Sequence, residues 1–177
     1  VLDNPFEQCV KKEDYTKDKI KYAIWNGTFI VTGLIALLAL LLTILSGNYL
    51  VWLSIVILAG LIAFFAYFKK SNAIIEYDYS FYDNTITISR ISNNSKRKDM
   101  ISIKREEIVE IAPIRSNNFQ RYKNVPGIKL KNFVLNNIDD SYYIYYQQGG
   151  GNGLVLWEPN EKLLKAIKDT KPAAVTL

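Results

Sequence analysis

The stretch "AFFAYFKKSNAIIEYDYSF", residues 63–81, changes chemical character at Lys69 and Lys70. Ahead of the two lysines every residue is apolar or aromatic; beyond them polar and apolar residues alternate. An unbroken apolar run suits a helix in hydrocarbon, whereas period-two alternation suits a half-buried strand. One junction therefore separates a stretch written for lipid from a stretch written for water.

Reading backward from Lys69, no charge occurs until Lys21, so residues 22–68 are 47 consecutive uncharged positions. The run is broken by one turn-forming cluster, Ser46-Gly47-Asn48-Tyr49. It divides into 22–45 and 49–68 with an external turn at 46–48, about 36 Å and about 30 Å long as helices. Each matches a hydrocarbon core of roughly 30 Å. Tyr22 and Trp25, Tyr49 and Trp52, and Tyr67 and Phe68 stand at the edges, where amphipathic rings prefer the headgroup level. Two helices apolar all round could instead be buried in a soluble protein, but the remaining chain is too short to surround them. The lysines set the orientation. Lys11, Lys12, Lys17, Lys19 and Lys21 precede the first span, Lys69 and Lys70 follow the second, and the turn is uncharged. Both termini are expected in the cytoplasm, with the protein in the cell membrane. No Asp, Glu, Lys, Arg or His lies inside either span, so the hairpin reads as an anchor and not as a channel or transporter.

The flanks differ. Residues 1–21 carry five lysines and five acids and read as a short cytoplasmic segment; the net charge of +5 therefore belongs to residues 69–177. In that part, strands are expected at about 74–82, 85–92, 99–104, 108–114, 128–135, 142–147 and 154–157. A helical turn at 105–110 is the alternative for the start of the fourth. Asp83-Asn84 makes a turn, the basic triplet Lys96-Arg97-Lys98 sits in the next loop, and residues 115–127 form a polar loop. The five residues Gly149-Gly150-Gly151-Asn152-Gly153 join the last two strands. A helix at 160–169 closes the chain, with Leu163, Leu164 and Ile167 on one stripe and Lys162, Lys165 and Lys168 on the other side. The expected fold is an α+β membrane protein: a two-helix transmembrane hairpin (22–68) followed by a cytoplasmic β-barrel or sandwich (69–177) of about seven strands with a C-terminal helix. That element order is the order of a pleckstrin-homology-like (PH-like) domain.

Chemistry is sparsely encoded. There is no histidine and one cysteine, Cys9, which excludes an intramolecular disulfide and leaves zinc or iron–sulfur ligation without a ligand set. The glycine run is followed by the strand-like Leu154-Val155-Leu156-Trp157, not by Lys-Ser/Thr opening a helix, so it is a hairpin loop and not a phosphate cradle. Glu106-Glu107 and Asp139-Asp140 are adjacent pairs, which a strand would point to opposite faces, so neither reads as an acid/base dyad. No catalytic residue, metal or cofactor is expected. The residues that invite a role are Lys69, Lys70, Lys96, Arg97 and Lys98, a juxtamembrane basic cluster suited to anionic lipid. Tyr142, Tyr143, Tyr145 and Tyr146 read as sheet packing rather than as a nucleic-acid platform.

The chain also resembles a family. Glu76-Tyr77-Asp78-Tyr79, Lys96-Arg97-Lys98, Ile111-Ala112-Pro113 and Glu158-Pro159-Asn160-Glu161-Lys162, after a two-span hairpin, resemble an uncharacterised family of small membrane proteins of Gram-positive bacteria. That family carries a domain of unknown function, and a looser likeness extends to bacterial membrane-tethered PH-like domains. The resemblance implies a layout and a location but no reaction. The expected function is a non-catalytic interaction or scaffold module at the inner leaflet, its partners the bilayer and an unidentified membrane or cytoplasmic protein. The alternative is anionic-lipid sensing through the basic cluster; an enzyme is the remote one, and nucleic acid is not expected.

Overall fold

The computed structural model describes residues 6–93 and 95–176. It separates into two compact units: residues 14–75 with 92–93, and residues 6–13, 76–91 and 95–176.

The first unit is the helical hairpin, α1 (Thr16–Ser46) and α2 (Tyr49–Ser71). Gly47 ends α1 at φ +67°, the left-handed turn that glycine accepts without a Cβ clash. The helices meet through small side chains, Ala39, Ala59 and Ala66, each buried. Leu34, Leu37, Leu50 and Phe64 are instead more than 60 % exposed, the reverse of a soluble core. The hydroxyls of Thr28, Thr32, Thr43, Ser46 and Ser54 all donate back to carbonyls of their own helix, so none is left unpaired on the apolar surface. Both helices are long and apolar enough to cross a membrane. α1 begins six residues before the apolar run. The amide of Thr16 donates to Asp14 Oδ1 at 2.7 Å, and Asp18 complements the first turn, so the lysine-rich segment is helical too.

The second unit is an eight-stranded domain. The first sheet holds β1 (Phe6–Val10), β2 (Ile75–Tyr82), β3 (Thr85–Ser92) and β4 (Lys96–Lys104), in that order. The second holds β5 (Ile108–Pro113), β7 (Tyr142–Gln148), β8 (Gly151–Trp157) and β6 (Lys129–Asn132), in that order, with β6 parallel to β8. The additional strand is β1, which lies in the segment read as an N-terminal tail. It pairs antiparallel with β2 from Phe6↔Phe81 to Val10↔Tyr77. The hairpin is thus inserted between the first two strands of one sheet.

Between the sheets lies the core: Tyr79, Ile86, Ile88, Ile103, Ile111, Ile144, Val155 and Trp157 are all fully buried. α4 (Glu161–Thr170) adds Leu163, Leu164 and Ile167, each worth about 1.5–3 kcal/mol when fully buried. Asn160 caps α4, its Oδ1 accepting from the Leu163 amide at 2.8 Å. Past the helix, Val175 bridges to Ile111 and so covers part of the outer edge of β5.

Three local expectations are corrected. The polar loop 115–127 contains α3 (Asn117–Lys123), because Phe119 and Tyr122, three residues apart, cover the outward face of the second sheet against Tyr143 and Tyr145. The strand expected over 128–135 is four residues long, since Phe133 turns into the core. The basic triplet opens β4 instead of lying in a loop. Arg105–Glu107 form a single 3-10 turn ahead of β5, which begins at Ile108, where the fourth strand is expected.

The glycine-rich connection shrinks to Gly149 and Gly150, both at positive φ, as a two-residue hairpin of the twist-matched kind requires. Gly153 already lies within β8, beneath the ring of its cross-strand partner Tyr146. A Cβ at Gly153 would come within 2.1 Å of that ring. Gly153→Ala is therefore expected to destabilise the domain by about 1–3 kcal/mol, the usual range for overpacking, read as a lower thermal midpoint.

Candidate functional site

The outward face of the first sheet carries most of the polar chemistry. A cleft of about 730 Å³ runs across it, lined by Glu7 of β1, Ser80 and Tyr82 of β2, Thr85 and Thr87 of β3, Arg97 and Asp99 of β4, and Asp83 of the β2–β3 turn. Strand alternation puts these side chains there, since Tyr79, Phe81, Ile86 and Ile88 take the opposite face. Arg97 Nη1 lies 2.9 Å from Asp78 Oδ2. Asp78 is only 6 % exposed; burial pushes its carboxyl above the ordinary value and the guanidinium pulls it partly back. Asp99 accepts from Ser89 Oγ at 2.6 Å. Lining the cleft are three carboxylates, one guanidinium held by a buried acid, and hydroxyls. Such a surface can hold a polar or cationic segment by hydrogen bonds.

The five basic residues of the sequence reading are placed differently from one another. Lys96 and Lys98 are exposed, Arg97 is engaged with Asp78, and Lys69 is exposed at the end of α2. Lys70 is partly buried: its Nζ donates to Asn26 Oδ1 at 2.9 Å and lies 4.6 Å over the Phe29 ring. The acidic pairs are committed locally. Glu107 Oε2 accepts from the Lys104 amide and from Gln148 Nε2, and Asp140 meets Arg115 at 3.0 Å. Among the described residues no group of three or more His, Cys, Asp or Glu is positioned to hold a metal ion.

Two polar networks went unread in the sequence. In the first, the Glu158 carboxylate accepts from the amides of Leu135 and Asn136, at 3.2 and 2.9 Å. The Asn136 side chain then bonds the Lys11 carbonyl and the Glu13 amide. Gln8 completes this clasp: its Nε2 donates to the Glu158 carbonyl and its Oε1 accepts from the Asn160 amide. The N-terminal strand is thereby tied to the start of α4. In the second, the Glu110 carboxylate accepts from Tyr122 Oη at 2.7 Å and Tyr143 Oη at 3.0 Å, and Tyr122 stacks on Tyr145 with ring centroids 4.0 Å apart. Burial first, and then the bond to Glu110, push the Tyr122 phenol up to about 12. Asn, Gln and Glu have no periodic signature, so only the tertiary fold reveals these partners.

Two four-stranded sheets around one core, with an amphipathic C-terminal helix packed into it, define an α+β domain of the PH-like kind. A family model described as "Bacterial PH-like domain (DUF6106)" matches residues 3–177, and the chain belongs to that family. Comparison with curated proteins and with solved structures finds no match.

Proposed function

We propose that the chain is a non-catalytic interaction module: the hairpin anchors it in the cell membrane, both termini lie in the cytoplasm, and the PH-like domain is held at the inner leaflet for a protein partner. The observation that carries this reading is the pairing of β1 with β2. Val10 and Tyr77 are neighbours across two strands, yet the whole apolar hairpin lies between them in sequence. One crossing of a bilayer would leave those strands on opposite sides; two crossings return the chain to the side it left. Lysines beside both helix ends and an uncharged turn favour the cytoplasm as that side. Confinement to the membrane plane raises the effective concentration for a partner there without any new contact. The strand edge best suited to a partner is β6, exposed at all four residues, because α3 spends its apolar side chains on its own sheet.

The second reading, contact with anionic lipid through Lys69, Lys70, Lys96, Arg97 and Lys98, draws support from the exposed Lys69, Lys96 and Lys98. Photocrosslinking from Leu130 in β6 in living cells separates the two. A discrete protein adduct favours the interaction module, and lipid adducts alone favour the second reading. Sidedness is tested in a Cys9→Ser background with a membrane-impermeant maleimide. Asn48→Cys is expected to react in intact cells and Lys162→Cys only after permeabilisation. Reaction of Lys162→Cys in intact cells would overturn the orientation.

A further inference from the structure

We infer that the lysine-bearing end of the hairpin is a binding site for the phosphate of an anionic phospholipid, built by Lys21 and Lys69 on either side of the Trp25–Phe65 ring pair. This rests on the hairpin being a membrane anchor. The Trp25 and Phe65 rings meet edge to face across the two helices, centroids 5.9 Å apart. Lys69 Nζ lies 5.2 Å above the Phe65 ring. Lys21 stands one turn before Trp25 on α1, the i, i+4 spacing that puts side chains on one face, and Lys17 stands one turn further out. Two exposed ammonium groups thus flank an aromatic wedge that spans both helices.

Neighbouring charges sharpen the assignment. Lys70 is spent inside the hairpin on Asn26, Phe29 and Tyr67, where it joins the helices instead of facing a ligand. Neither Lys21 nor Lys69 has a carboxylate partner among the described residues, so their charge is left for an external anion. The adjoining surface states what else the ligand must carry. Ile24, Phe64 and Phe68 are 60 %, 72 % and 60 % exposed, an apolar surface continuous with the wedge. A group that is anionic at one end and apolar at the other satisfies both halves, and a phospholipid with net negative charge is that group. Basic pockets between helices at the cytoplasmic boundary suit such headgroups.

Trp25 supplies the measurement. In full-length Trp52→Phe protein in mixed vesicles, Trp25 is the tryptophan open to lipid, because Trp157 is wholly buried in the domain core. Its fluorescence is quenched by brominated acyl chains, so brominated phosphatidylglycerol and brominated phosphatidylcholine report which lipid sits beside it. The expected result is enrichment of phosphatidylglycerol well above its bulk fraction, weakened about fivefold for each lysine lost in Lys21→Gln and Lys69→Gln. The Lys21→Arg/Lys69→Arg pair retains the enrichment. Lys162→Gln/Lys165→Gln on α4, an equal loss of charge, leaves it unchanged; an equal drop there would reduce the effect to net charge and overturn the site. Equal quenching by both brominated lipids in the parent also overturns the site while leaving the anchor intact. Quenching by neither lipid would instead remove the anchor itself.

Discussion

A chain in which a short Asn- and Gly-containing turn replaces residues 14–74 is expected to fold and to stay monomeric in buffer without detergent. The reason is the register of the first sheet. Val10 and Tyr77 sit opposite each other, and Lys11 Nζ reaches Glu76 Oε1 at 3.4 Å, so the severed ends are already a hairpin's width apart. The main core is drawn from strands, Phe133 just past β6, α4 and the C-terminal segment, with no side chain from α1 or α2. The companion fragment, beginning at residue 75 and lacking β1, is expected to lose cooperative folding. It forfeits the buried Val10, the packing of Phe6, and the two bonds from Gln8 to the backbone at Glu158 and Asn160. Those losses sum to about 4 kcal/mol, a large part of the 5–15 kcal/mol that typically holds a domain together. The loss also bares the edge of β2, an invitation to aggregation. Size exclusion without detergent and a thermal melt by circular dichroism test both chains. Equal stability of the two would show that β1 is dispensable, and an insoluble turn-linked chain would show that the domain depends on its anchor.

That same strand marks the boundary of what the sequence discloses. The hairpin is legible because exclusion of charge over a long run has one economical physical reading, and Ser46-Gly47-Asn48 marks its turn. α4 is legible from the stripe of Leu163, Leu164 and Ile167 and from Asn160 ahead of it. β1 is not, because Phe6-Glu7-Gln8-Cys9-Val10 is too short for alternation to stand out and its partner lies beyond the hairpin. α3 is hidden for a related reason: seven residues with two apolar ones carry no period, and only the sheet beneath Phe119 and Tyr122 makes them a helix worth forming. The basic triplet shows a different limit. Its charge is evident, but strand pairing decides that Arg97 turns to the buried Asp78 while Lys96 and Lys98 remain exposed. Composition names the groups available; the fold decides which of them are already spoken for.

Raising the pH above 10 is expected to unfold the domain through its buried tyrosines. Five tyrosines of the domain, Tyr77, Tyr79, Tyr122, Tyr143 and Tyr146, have phenols held above the ordinary value of 10.0, in each case chiefly because burial disfavours the phenolate. Tyr79 and Tyr143 are fully buried, and Tyr143 also donates to the carboxylate of Glu110. Folding therefore favours the neutral phenol. Below pH 10 both folded and unfolded chains carry neutral tyrosine, and that contribution to stability is complete. Above it the unfolded chain ionises first, and each tyrosine still protonated in the fold withdraws about 1.4 kcal/mol per pH unit. Stability keeps falling until pH passes the folded value, about 12 for Tyr122 and higher for Tyr79 and Tyr143. By pH 12 the two buried tyrosines together remove about 5 kcal/mol, the lower end of the 5–15 kcal/mol that typically holds a domain together, and the other three add to that loss. In detergent, phenolate absorbance and loss of near-ultraviolet circular dichroism should then rise together as one cooperative step. Glu110→Gln should bring forward the ionisation of Tyr122, because it removes the charge that opposes its phenolate. Smooth titration of these five tyrosines near pH 10, with tertiary structure intact, would mean that Tyr79 does not lie in the dry core between the sheets and that α3 does not seal Tyr122 and Tyr143 against the second sheet.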